Sequence, residues 1–170
     1  DRVRSALINS GFIFPNRRIT VNLAPADLPK EGGRFDLAIA LGVLIASGQL
    51  SLDAPNPDFW LQHEFYGELS LSGALAPIRG GLPAALAARQ SERQVIMSEA
   101  NAAEVSLLNT GGIWMASHLR EVCDWLMGEA TLMPATPPAT QGAPIVPEID
   151  LRDVRGQFSA KRALEIAAAG

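Results

Sequence analysis

The sequence predicts an α/β domain with a partly parallel sheet, and three observations carry that expectation. Segments with helical spacing alternate with short strand-like runs, and glycines stand where the helical pattern should stop. A hairpin signal sits in the middle of the chain. At 170 residues, 48% hydrophobic and 19% charged, the chain has enough apolar side chain to bury a core.

The elements follow in order. DRVRSALINSG reads as the end of a helix, with Val3, Ala6 and Leu7 on one face and Gly11 closing it in the left-handed conformation. RRITVNLA alternates, placing Ile19, Val21 and Leu23 on one side of a half-buried strand. APADLPKEGG is a loop, and Phe35 to Ser47 favours a mostly buried helix ended by Gly48. APNPD, residues 54–58, is an exposed turn. FYGELSLSGALAPIRG predicts two short strands about Ser72-Gly73.

LPAALAARQ is a short helix whose first turn tolerates Pro83. QVIM is a strand, and SEANAAEVSLL a helix capped by Ser98 with Glu99 near its positive end. GIWMAS is a strand, with Ser117 capping the helix HLREVCDWLMG. After Gly128 the pattern fails. TLMPATPPATQGAPIVPEID carries five prolines from Pro134 to Pro147 and reads as an extended linker. LRDVRGQFSAKRALEIAAAG then resumes helical spacing, with Ala160, Leu164 and Ala167 on one stripe. The domains expected are thus 1–128, a linker over 129–150, and a separate start at 151–170. The chain opens inside a helical pattern and stops after LEIAAAG, which reads as a piece of a longer protein.

The net charge of −4 argues against a protein that coats nucleic acid by bulk electrostatics. It hides an asymmetry, because residues 1–34 balance at +3, 35–150 at −9 and 151–170 at +2. The single cysteine, Cys123, excludes an internal disulfide, fits a reducing compartment and sits at a helix-like packing position. No signal peptide is visible, and the longest apolar run, Leu37 to Ala46, is too short for a bilayer. A soluble, cytoplasmic protein with no membrane partner is expected.

The stretch LPKEGGRFDLAIALG, Leu28 to Gly42, looks at first like a phosphate loop opening a helix. A Walker loop needs Lys and a hydroxyl after its glycines. Here Lys30 precedes Gly32 and Gly33, and no hydroxyl follows before Ser47. His63 and His118 stand 55 residues apart without a carboxylate pattern, so no metal site is expected. Glu31 and Asp36 read as helix-start caps rather than an acid–base couple.

PKEGGRFDLAIALGVLIASGQL, followed by GELSLSGALAPIRGGLPAALAA, resembles the proteolytic domain of the Lon family over about Ile19 to Leu119. That family has a Pro-Lys-Asp-Gly-Pro-Ser-Ala-Gly loop and a Gly-Glu-x-Thr-Leu-x-Gly-x-x-x-Pro-x-Gly-Gly-x-Lys stretch. The resemblance implies a Lon-protease-like domain of the ribosomal protein S5 domain 2-like fold, a mixed sheet with packed helices. Laid on the motifs, Arg34 takes the place of the nucleophilic serine and Leu82 that of the lysine. A guanidinium stays protonated and leucine is no base, so no catalytic residues are expected.

FPNRRITVNLAPADLPKEGGRFDLAIALG, GELSLSGALAPIRG and DVRGQFSAKRALEIAAAG together resemble the ComM/YifB proteins, labelled magnesium-chelatase-like. The resemblance implies an inactive Lon-like domain joined to an AAA+ ATPase, a hexameric motor on branched DNA in natural transformation and recombination. It matches Val154, Gly156 and Gln157 to the segment lining the adenine pocket, incomplete here because the Walker loop is absent. No cofactor is expected for these 170 residues, and ATP and Mg for the full-length protein, an ATPase or DNA helicase. The chain itself is expected to be a non-enzymatic accessory domain for assembly and DNA guidance. Arg17, Arg18, Lys30 and Arg34 are the candidate nucleic-acid contacts. Against this, Arg17 and Arg18 could simply solvate the start of a strand, or pair with Asp27 and Glu31. The alternatives are a residual serine-type peptidase and a magnesium chelatase subunit.

Overall fold

A computed structural model describes residues 1–24, 32–50, 59–108, 111–136 and 151–169. The chain divides into two compact units, Asp1–Pro138 and Ala139–Gly170. The first unit contains α1 (Arg2–Asn9), α2 (Asp36–Ala46), β1 (His63–Phe65), β2 (Glu68–Leu69), β3 (Leu75–Ala76), α3 (Gly81–Gln90), β4 (Gln94–Ser98), α4 (Ala102–Val105), β5 (Ile113–Ala116), α5 (Leu119–Leu126) and β6 (Met133–Pro134). The second contains α6 (Phe158–Ala169).

The main sheet has the order β1-β4-β5-β6, with β1, β4 and β5 parallel and β6 antiparallel to β5. Phe65 pairs with Ile96, Met97 with Met115, and Met115 with Met133. Alternation along β4 sends its side chains to two cores. Ile96 joins Leu7 of α1, Leu37, Leu41 and Leu44 of α2, and Leu119 and Val122 of α5. Val95 and Met97 join Ala85 and Ala88 of α3, Val105 of α4, and Ile113 and Met115 of β5. A mixed α/β fold covered on both sheet faces is the result, as a parallel sheet requires.

Several local expectations hold because their signals lie within a few residues of one another. Gly11, Gly48 and Gly73 have φ of 85°, 72° and 93°, ending α1, ending α2 and turning the β2-β3 hairpin. Cys123 is buried in the core.

Others do not. Arg18 to Leu23 forms no strand, and Ile19, Val21 and Leu23 are 37%, 49% and 37% exposed. The alternation is right, but a strand exists only when its backbone is paired, and between Phe14 and Ala24 no backbone hydrogen bond forms among the described residues. The helix expected over 98–108 is a 3₁₀ turn, the four-residue α4 and a second 3₁₀ turn. Ser98 does accept from Ala100 N, but its hydroxyl also donates to Leu75 O of the hairpin, a tertiary tie that holds the first turn tight. The cap of α5 is His118, whose Nδ1 accepts from Arg120 N, and Ser117 instead holds Glu121. Past residue 128, Leu132 is buried and β6 pairs with β5. The turn expected at 54–58 and most of the linker lie outside the described residues.

Among the described residues no helix is long and apolar enough to cross a membrane.

Candidate functional site

The loop at 32–36, the β2-β3 hairpin and the turn into α3 converge, and backbone bonds set them in place. Gly67 N donates to Arg34 O at 3.0 Å, Leu37 N to Gly67 O at 3.1 Å, and Asp36 N to Gly33 O at 2.8 Å. The two motifs that the sequence singled out therefore meet. Gly67 is needed for this approach, because a Cβ there would run into Leu75 of the hairpin and lie 3.5 Å from Leu37 Cβ.

Arg34 points into this junction. Its Nη2 donates to Arg79 O at 2.9 Å, and its guanidinium lies 5.9 Å from the centre of the Tyr66 ring. Tyr66 is half-buried, and burial, helped by its hydroxyl's bond to Glu64 Oε2, pushes the phenol up to about 12. Arg34 is thus a staple between the loop and the turn before α3. Leu82, in the first turn of α3, donates its N–H to Glu104 Oε1 at 2.8 Å. Asn101 locks the same turn, its Oδ1 accepting from Ile78 N and its Nδ2 donating to Ile78 O, both at 3.0 Å.

Below the loop lies a charge latch that the sequence reading assigned to capping. Asp36 is 8% exposed and does not cap α2. Its Oδ2 accepts from Leu69 N and from Arg2 Nε at 2.7 Å, while Arg2 Nη1 reaches Glu68 Oε1 at 2.8 Å. The hydrogen bond to Asp36 leads the effects that raise the Arg2 pKa, against a smaller loss from burial. Only the fold brings Arg2 to Asp36 and Glu68, so no local signal announced it. Glu31 lies outside the described residues.

Arg17 and Arg18 are not gathered with Arg34. Arg17 and Arg18 are exposed and line a groove of about 660 Å³ beside Val43 and Ala46, at the C-terminal half of α2. Arg34 precedes the other end of α2, about 15 Å away along an 11-residue helix. Lys30 lies outside the described residues. Among the described residues Arg17 and Arg18 make no ion pair. The chain reaches this groove because the Gln49 side chain clips Ile13, accepting from its N at 2.7 Å and donating to its O at 2.6 Å.

Other groups with catalytic potential have structural partners. His118 has Nε2 3.1 Å from Ser72 O and Nδ1 accepting from Arg120 N, so both ring nitrogens are in use. Burial, reinforced by Asp124, pushes the Cys123 thiol up to about 12. Among the described residues no group of three or more His, Cys, Asp or Glu is placed to hold a metal ion.

In the second unit, Val154 and Gly156 precede α6, and Gln157 O accepts from Lys161 N at 2.9 Å. Gly156 and Gln157 both adopt positive φ, 69° and 53°. Phe158, Leu164 and Ile166 of α6 are exposed.

Residues 1–101 match the family described as Subunit ChlI of Mg-chelatase. Over its whole length the chain is 50% identical to the competence protein ComM of Haemophilus influenzae and 49% identical to protein YifB of Salmonella typhimurium. Protein YifB of Escherichia coli is 46% identical, again across the full chain. The chain spans about a third of each, 33%, 32% and 32% respectively.

Proposed function

The chain belongs to the family of subunit ChlI of Mg-chelatase, and from that premise we propose that it is the non-catalytic accessory domain of a ComM-type AAA+ ATPase. In this reading the full-length protein is a cytoplasmic, hexameric, ATP- and Mg-dependent motor on branched DNA in natural transformation and recombination. The first unit is its inactive Lon-like domain, of the S5 domain 2-like fold. Residues 151–170 begin the ATPase module, with Val154, Gly156 and Gln157 at the adenine pocket.

One observation carries the non-catalytic part. The two positions that a Lon-like site needs for its serine and lysine hold Arg34 and Leu82. Arg34 is bound into the fold through Arg79 O and Tyr66, and the Leu82 N–H through Glu104. A permanently protonated guanidinium is no nucleophile and an alkyl chain cannot take its proton. What remains is a rigid junction suited to assembly. The full-length protein should leave casein and fluorogenic peptides uncut. Cleavage that a serine-directed phosphonate blocks would revive the peptidase reading.

DNA guidance falls to Arg17 and Arg18, because Arg34 is engaged internally. Two exposed guanidinium groups offer sequence-independent phosphate contacts. The test is fluorescence anisotropy of the full-length protein with single-stranded, duplex and forked DNA across a salt series. Replacing both arginines by alanine should flatten the slope of log K against log salt by up to roughly 1.8 on duplex, at about 0.9 per phosphate. An unchanged slope would remove the DNA role from this domain. The match to a chelatase subunit keeps one second reading, settled by adding the full-length protein to a porphyrin metal-insertion assay. No stimulation is expected.

A further inference from the structure

We infer that residues 131–136 form a releasable strap, which lifts β6 off β5 as the full-length protein turns over ATP. The inference rests on the ATPase reading above and deepens it, because β6 is the last strand of the first unit before the chain runs on to the second.

Three features converge on it. First, β6 is held lightly. It spans two residues, both exposed, and adds antiparallel to the edge of an otherwise parallel sheet. Ala135 N donates to Ile113 O at 2.9 Å, so those two residues form a hydrogen-bonded pair and Trp114 with Pro134 the non-bonded pair beside it. The N–H that Pro134 lacks would therefore have faced the outer edge, and its absence bars a further strand there.

Next, little lies beneath the strap. A cavity of about 280 Å³ is lined by Thr131, Leu132 and Met133 on one side and by Met115, Ser117 and Glu121 on the other. Leu132, 7% exposed, pins the strap to the core, whereas Met133 is 70% exposed. A short strand with a single fully buried anchor above empty space belongs to the low-stability end of a fold.

Finally, the strap has a fixed root. α5 is closed by Gly128, at φ 76°, and by Glu129 N donating to Asp124 O at 2.8 Å, so the strap can swing without unwinding the helix. Tension on the chain beyond β6 thus loads Leu132 and a few hydrogen bonds before it loads the parallel strands.

The register supplies a staple. Facing residues of a bonded antiparallel pair lie about 5.5 Å apart at Cα, within disulfide reach. In the full-length protein carrying Ile113→Cys and Ala135→Cys, oxidation locks the strap and reduction frees it. The reduced form controls for packing lost to the substitutions, and the buried Cys123 does not compete.

The experiment reads ATP turnover in the locked and freed forms. In the unaltered full-length protein it also reads hydrogen exchange at Ala135, with Tyr66, whose N–H donates to Ile96 O, as the reference. The inference expects exchange at Ala135 at least roughly tenfold faster during Mg-ATP turnover than with Mg-ADP, and no change at Tyr66. It also expects severalfold slower turnover in the locked form, restored by a thiol reductant. Equal exchange with both nucleotides overturns it, as does turnover indifferent to the disulfide. Faster exchange at Ala135 and Tyr66 alike overturns it in favour of a loosening of the whole unit. A full-length protein that hydrolyses no ATP overturns the ATPase reading and the strap's coupling together, whereas hydrolysis with an unmoved strap overturns the strap alone.

Discussion

Gly32 and Gly33 stand side by side in the loop that opens α2, and they should fail for different reasons. Gly33 has an ordinary backbone conformation, but a Cβ there would strike the Arg2 guanidinium and lie 2.6 Å from Glu68 Cγ and 2.7 Å from Asp36 Oδ2. Gly33→Ala must displace Arg2 from Asp36. The pair is partly exposed, at 42% for the arginine side chain and 11% for the carboxylate. Its own worth is therefore discounted to below about 1 kcal/mol. Asp36 is left facing the interior with only the Leu69 N–H, which adds about 1–2 kcal/mol. Lower chain entropy in the unfolded state returns about 0.4–1 kcal/mol. The net loss is about 1–2 kcal/mol, or roughly 2–8 °C in Tm for a chain of this size.

Gly32 has φ of 69° and open space around it, so Gly32→Ala carries a backbone cost of about 1–2 kcal/mol, much of which Gly32→Asn should recover. Urea denaturation of the single variants and of each combined with Arg2→Met separates the two causes. Removing the guanidinium should relieve Gly33→Ala by at least about 0.5 kcal/mol and leave Gly32→Ala unchanged. Additivity of Gly33→Ala with Arg2→Met would refute the steric argument.

Three further outcomes follow from the same packing. Asn101→Ala strands the N–H and C=O of buried Ile78 and should cost about 2–4 kcal/mol in denaturant unfolding. Cys123, with its thiol near 12, should carry roughly one thiolate in ten thousand at pH 8 and stay unreactive to a disulfide reagent until the chain is unfolded. For Glu121, burial pushes upward but is outweighed by hydrogen bonds from Ser117 Oγ, Ser117 N and the His118 backbone, so its pKa lies below its ordinary 4.5. A depressed carboxylate stabilises the fold above its unfolded pKa and loses that contribution as pH falls through the folded value. The Tm advantage over Glu121→Gln should thus be full above about pH 5 and close on acidification below 4.5; a gap that widens in acid would contradict the assignment.

What the sequence by itself determined are features whose causes are local. Gly11, Gly48 and Gly73 end helices or turn a hairpin because a left-handed residue is required there and glycine adopts it without penalty. The apolar run over Phe35 to Ser47 read as a mostly buried helix and QVIM as a strand, as found.

The tertiary structure decided whatever needed a partner distant in the chain. Alternation at 18–23 could not reveal that nothing in the described chain pairs with it. The three candidate arginines and one lysine could be counted, but not the turn of Arg34 toward Arg79, 45 residues away. Asp36 looked like a cap until Arg2 and Leu69 arrived from two other elements. Ser98 looked like the cap of one long helix until its hydroxyl was tied to Leu75. A helix turn or a hairpin is settled by neighbours within four residues, whereas a charge or a strand edge takes the lowest-energy partner that folding brings near it.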